Sequence, residues 1–186
     1  MIYLVRHGLD DEKYIGGYSN VKLTNEGIEQ VKRLAKFLKE KKYSINKIVS
    51  SDIVRAKQTA EIISNELGLD IEYSPVLREL NKGNLNGMLK EFALTEYPEY
   101  FENFGVDKQY PNGESMLDFY KRIKESLETI LIQDGNLLVT HRGVINMLYY
   151  LLYDIPLDMN KGRFGVTHAS LHQLNPKVKI IEKVEM

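Results

Sequence analysis

Three short segments carry side chains that could bind and attack an anion. Arg6-His7-Gly8 follows an apolar run at residues 2–5. Ser50-Ser51 follows Ile48-Val49, with Arg55 soon after. Thr140-His141-Arg142-Gly143 follows Leu137-Leu138-Val139. Each group lies just past a stretch that reads as a buried strand. If the three strands are parallel neighbours, two imidazoles and two or three guanidinium groups meet at one sheet edge, close to helix N-termini. That is an anion site, and the planar fork of arginine suits phosphate.

The elements needed to hold this cluster are legible between the segments. Thr24 precedes apolar residues at Ile28, Val31, Leu34, Ala35 and Leu38, the spacing of one helix face. Ile53, Ala56, Ala60, Ile63 and Leu67 mark a second helix, stopped by Gly68. Residues 71–77 read as a third strand, interrupted by Pro75. Ser115 and Asp118 have capping-box spacing and open a helix whose apolar face runs from Leu117 to Leu131. Residues 143–153 read as a helix apolar almost all round. Residues 170–174 and 178–184 read as closing strands split by Asn175-Pro176. This alternation predicts an α/β fold, a three-layer α/β/α sandwich with a mainly parallel central sheet. In such sheets functional residues gather beyond the carboxyl ends of the strands. Residues 79–113, with their glycines, prolines and the aromatics Phe92, Tyr97, Tyr100, Phe101, Phe104 and Tyr110, predict an irregular, partly helical insertion over the site. Its aromatics read as local core first and as a pocket lid second. The expectation is one domain over residues 1–186.

Composition narrows the function classes. A net charge of −1 gives no electrostatic footprint for nucleic acid or an anionic membrane. With no cysteine, thiolate metal sites, disulfides and cysteine nucleophiles are excluded. The apolar run at 147–153 is far too short for a bilayer span. The N-terminus has no signal-peptide pattern, and the expected location is the cytoplasm. No glycine-rich loop of either common kind follows the first strand, which disfavours a nucleotide-binding protein.

The motifs together resemble the histidine phosphatase, or phosphoglycerate mutase-like, superfamily. Leu4-Val5-Arg6-His7-Gly8 is similar to its signature, and Leu23-Thr24-Asn25-Glu26-Gly27 to the segment opening its first helix. The stretch from Ser50 through Arg55 to Ala60 resembles its second basic motif. Leu77-Arg78-Glu79-Leu80 resembles its acid-bearing segment, and Pro111-Asn112-Gly113-Glu114-Ser115 its helix-opening motif. Val139-Thr140-His141-Arg142-Gly143 resembles its second histidine motif. The motifs follow in the expected order through nearly the whole chain.

The resemblance implies that His7 attacks phosphorus and forms a phosphohistidine, and that Arg6, Arg55 and His141 bind the phosphoryl oxygens. Glu79 would protonate the leaving oxygen and then deprotonate water, with Glu12, Glu91 and Glu114 as rival carboxylates. No metal and no cofactor are expected; the partner is a small phosphorylated metabolite. Arg142 is a weaker candidate for substrate contact, and His168, where the family often has Asn, is expected to be structural or at the rim. One departure stands out. After Arg-His-Gly the family pattern leads to an Asn that helps hold phosphate, whereas this chain reads Leu9-Asp10-Asp11-Glu12-Lys13. A carboxylate there would weaken phosphate binding unless it points away.

Within the superfamily, mutases are longer and close a lid over the phosphoenzyme. Hydrolysis is therefore expected, and Tyr14-Ile15-Gly16-Gly17-Tyr18 resembles a loop of the α-ribazole phosphatase branch. The alternatives are mutase-type phosphoryl transfer and a non-catalytic phosphate-binding module.

Overall fold

The computed structural model describes residues 1–102 and 105–185; Phe104 lies outside them. Six strands form one sheet in the order β3-β2-β4-β1-β5-β6. These are β1 (Ile2–Arg6), β2 (Ile48–Ser50), β3 (Ile71–Tyr73), β4 (Leu137–Thr140), β5 (Leu171–Asn175) and β6 (Ile180–Lys183). The first four run parallel, and β5 and β6 form an antiparallel hairpin on the β1 side. The predicted mainly parallel α/β sheet is present.

Both faces of the sheet are covered. Along β1, Ile2 and Leu4 enter one core, while Tyr3 and Val5 enter the other. The second core is filled by α1 (Asn25–Glu40) and α2 (Val54–Leu67), through Val31, Leu34, Leu38, Ala56, Ala60 and Ile63. The first is filled by α4 (Met116–Glu125) and α6 (Arg142–Leu152), through Phe119, Ile123, Val144, Ile145 and Leu148. Burial on both faces explains why the central strands are continuously apolar rather than alternating.

The helix ends follow the sequence signals. The Thr24 side chain accepts the Gly27 amide at 3.0 Å. Gly68 closes α2 in the left-handed region at φ 68°. Ser115 and Asp118 form the expected capping box. Two boundaries differ from expectation. β3 stops at Tyr73, because Pro75 opens a 3-10 turn over Pro75–Leu77. The helix expected to continue to Leu131 divides at Ser126, whose φ of −88° and ψ of 0° open the turn before α5 (Leu127–Leu131). The 79–113 segment holds α3 (Lys90–Glu96) and two 3-10 turns, Gly83–Leu85 and Pro98–Tyr100. Among the described residues, no helix is long and apolar enough to cross a membrane.

Candidate active site

The register of the parallel strands brings the chemical groups together. Arg6 pairs with Thr140 across β1 and β4, and Ser50 pairs with Val139 across β2 and β4. All three strands therefore end at the same level, and the residues that follow share one edge. A cavity of ≈ 310 Å³ opens there, lined by Arg6, His7, Arg55 and Glu79.

His7 is buried, with 4% of its surface exposed, and its orientation is fixed from two sides. Arg55 Nε donates to its Nε2 at 3.1 Å. A guanidinium has no acceptor, so His7 Nε2 must present a lone pair. Nδ1 then carries the hydrogen and donates to the Gly8 carbonyl at 2.8 Å. Burial, reinforced by Arg55 and His141, pushes the His7 imidazole well below its usual pKa. It is an uncharged base at neutral pH, which a nucleophile needs.

Arg55 is 2% exposed, and every end of its guanidinium is engaged. Besides His7, it donates to the Gly17 carbonyl at 3.0 Å and to Ser19 Oγ at 3.3 Å. Arg6 donates to the Val166 carbonyl at 3.0 Å and meets His168 Nε2, while its Nε has no hydrogen-bond partner among the described residues. Burial and then nearby Arg142 lower Arg6 to about 10, so it stays cationic at neutral pH. The His141 ring lies 5.2 Å from that of His7. Its Nε2 is 2.9 Å from Ser51 Oγ, and its Nδ1 is buried without a partner among the described residues. Burial, then Arg55 and Arg6, also pushes His141 well below the usual histidine pKa.

Glu79 follows the Pro75–Leu77 turn and reaches across to the start of α6. It accepts the Leu80 amide at 2.9 Å and the Gly143 amide at 3.1 Å. Gly143 is needed for this approach: a Cβ there would lie 2.0 Å from Glu79 Oε1. The rival carboxylates separate clearly. Glu114 is paired with Arg122 at 2.6 Å, Glu91 does not line the cavity, and Glu12 lines it as an exposed residue.

Two residues change standing. Asp10 lines the cavity rather than pointing away. Its carboxylate is 3.5 Å from Arg55 Nε and 3.6 Å from His168 Nε2. Burial works to raise this carboxyl, but the contact with His168, the adjacent His7 and the charge of Arg55 outweigh it, and Asp10 is held below the usual carboxylate range. His168 was expected to be structural or at the rim. Its ring lies 5.7 Å from that of His7 and touches Arg6, so it is part of the constellation. The signal was its position in place of the family's Asn, but only the strand reversal at β5 brings it there.

His7, Asp10 and His168 could hold a metal ion, with ligand atoms all within 4.8 Å of one another. Arg6 and Arg55 flank the same trio, and that positive surround favours an anion over a dication. Asp10→Asn is expected to tighten competitive inhibition by vanadate about tenfold, since it removes a negative charge from the cradle. An unchanged or weaker inhibition constant would mean that Asp10 serves chiefly to hold Arg55 and His168 in place.

The buried histidines also set an acid limit on the fold. His172 on β5 is lowered to about 4, chiefly by burial, and contacts Tyr149 Oη and Ser170 Oγ. In the unfolded chain, His7, His141 and His172 would each take up a proton near pH 6.5, whereas the folded chain refuses them. Stability is therefore full above about pH 6.5 and falls as pH drops toward the folded values, at up to about 4 kcal/mol per pH unit. Denaturant titrations at pH 7.5, 6.0 and 5.0 measure this slope. A flat profile would contradict the neutral, buried imidazoles.

A buried imidazole held beside arginines at the ends of parallel strands, faced by a second imidazole, defines a phosphoryl-transfer enzyme of the phosphohistidine type. Residues 2–182 match the description "Histidine phosphatase superfamily (branch 1)", and the chain belongs to that family. The protein named "Probable phosphoglycerate mutase GpmB" of Escherichia fergusonii is 37% identical over 165 residues, covering 83% of this chain and 75% of the relative. The alpha-ribazole phosphatase from Shigella flexneri is 25% identical with a TM-score of 0.79, over 98% of this chain and 94% of that one. YhfR of Bacillus stearothermophilus is 25% identical with a TM-score of 0.80, over 94% and 91%.

Proposed function

We propose that the protein hydrolyses a small phosphomonoester in two steps through a phosphohistidine at His7. The observation that carries this reading is the fixed tautomer of His7, whose Nε2 lone pair is held in place by Arg55 beside His141. In the first step Arg55 Nε passes its hydrogen bond from His7 Nε2 to a phosphoryl oxygen, the freed Nε2 lone pair bonds to phosphorus as the ester P–O bond breaks, and the Glu79 carboxyl gives its proton to the departing oxygen. Arg6, Arg55 and His141 take the charge spread over the other phosphoryl oxygens. The Nδ1 hydrogen bond to Gly8 stabilises the ring as it gains positive character. In the second step water attacks phosphorus, the N–P bond breaks, and the Glu79 carboxylate accepts the water proton.

Access of water supports hydrolysis. Glu12, Lys90 and Phe101 line the cavity and are themselves exposed, so the mouth is open to solvent. The Tyr14–Tyr18 loop similarity and the Shigella flexneri structure support α-ribazole 5′-phosphate as one substrate to assay. The name of the curated relatives supports a second reading, phosphoryl transfer between positions of a phosphoglycerate. Incubation with substrate, an alkaline denaturing quench that preserves the N–P bond, and a parallel assay of inorganic phosphate test both. Labelled His7 with phosphate release supports hydrolysis. Labelled His7 with isomerised substrate and no phosphate release supports transfer.

A further inference from the structure

The phosphoryl cradle accounts for only part of the cavity lining. Lys82, Arg142 and Lys161 line it as well, with exposed Lys90. Lys82 stands at the start of the Gly83–Leu85 turn, and its backbone amide is fixed by Asn86 Oδ1 at 3.0 Å. The loop bearing Lys161 is tied to α6 because Asn146 Nδ2 donates to the Lys161 carbonyl at 3.1 Å. No hydrogen bond or ion pair occupies the charged end of Lys82, Arg142 or Lys161 among the described residues.

The acids of the cavity do not balance them. Asp10 is taken by Arg55 and His168. Asp158 is taken by Tyr150 and Arg163. Glu79 accepts two backbone amides and offsets part of the positive charge at Lys82 and Lys161, and Glu12 is exposed to solvent. The crowding is felt at Lys82, where burial and then the like charge of Lys161 lower the ammonium to about 8. Three cations gathered in one cavity repel one another more than Glu79 offsets, and an anion placed among them relieves that repulsion. A second, independent observation lies in the same cavity. Asn146 is 5% exposed and lines the cavity, yet its Oδ1 has no partner among the described residues. The Lys161 carbonyl can only accept, so it fixes the amide orientation and leaves Oδ1 an acceptor without a donor.

We propose that Lys82, Arg142 and Lys161 form a subsite for a second anionic group of the substrate, a carboxylate or a second phosphoryl, with Asn146 Oδ1 accepting a substrate hydroxyl. The proposal rests on the phosphomonoesterase reading and narrows its substrate class to phosphorylated acids or bisphosphates. It ranks these above α-ribazole 5′-phosphate, whose aglycone carries no second anion.

Matched substrates test it. Glycerol 3-phosphate and 3-phosphoglycerate differ chiefly in a hydroxymethyl against a carboxylate. Fructose 6-phosphate and fructose 1,6-bisphosphate differ by one phosphoryl group. The charged member of at least one pair is expected to have a kcat/KM at least tenfold higher, and the pair that shows it identifies the group bound. Lys82→Gln and Lys161→Gln are each expected to cut that preference at least fivefold, and added salt should reduce it in the parent protein. Lys161 lies on an exposed loop, so its variant separates recognition from folding. If both pairs are turned over without preference while His7→Ala abolishes turnover, the second subsite is wrong and the phosphatase reading stands. If no substrate, p-nitrophenyl phosphate included, is hydrolysed in a His7-dependent way, the phosphatase reading fails and the subsite fails with it.

Discussion

His7→Ala is expected to lower phosphate release from p-nitrophenyl phosphate by at least about 10³-fold and to abolish covalent labelling altogether. The loss should be nearly complete because the proposed reaction runs through a bond to that ring. The remaining cationic cradle can still bind phosphate, so KM or the vanadate inhibition constant should change far less than kcat. This split separates a nucleophile from a binding group. The side chain is buried with no bulky polar network of its own beyond Arg55 and Gly8, so the variant should fold. Equal rates in parent and variant would remove the phosphatase reading, and equal labelling would remove the phosphohistidine with it. His7→Asn provides a check on shape, since it keeps a polar side chain but cannot form a phosphoimidazole.

Glu79→Gln is expected to lower kcat by about 10²–10³-fold on alkyl phosphates, whose leaving alkoxide is very basic. On p-nitrophenyl phosphate the first step should be much less sensitive, because that leaving group needs little protonation. Leu80 and Gly143 donate to different oxygens of Glu79, so Gln, with one acceptor oxygen, keeps one of these hydrogen bonds and loses the other. A uniform loss across leaving groups would indicate that Glu79 positions α6 rather than moving a proton. In that case Glu12, which lines the same cavity, would become the candidate acid.

The parts of this molecule legible in the sequence are those governed by local chemistry. β1, β2 and β4 are short apolar runs with no polar interruption, which only burial on both faces tolerates. Thr24, Gly68 and Ser115 mark helix ends by interactions within a few residues. Arg6, His7, Arg55, Glu79 and His141 were visible because each sits in a motif attached to such an element. What could not be read depends on distant groups. The division at Ser126 lies within an unbroken apolar periodicity. Asp10 reads as a repelling carboxylate until Arg55 and His168, from α2 and from the approach to β5, are seen on either side of it. Lys82 and Lys161 are unremarkable lysines in sequence, nearly eighty positions apart, and become informative only as neighbours lining one cavity.

The antiparallel placement of β5 against β1 has a consequence for how such a scaffold can diversify. A parallel strand would deliver its preceding loop to the opposite end of the sheet. The reversed strand instead delivers the stretch ahead of it, including Asp158, Lys161 and His168, to the end where phosphorus is handled. That stretch is joined to the rest by a helix on one side and an edge hairpin on the other, so its length and residues can be exchanged without re-registering the parallel strands. Selectivity can thus drift along one replaceable segment while His7 and its arginines stay where they are.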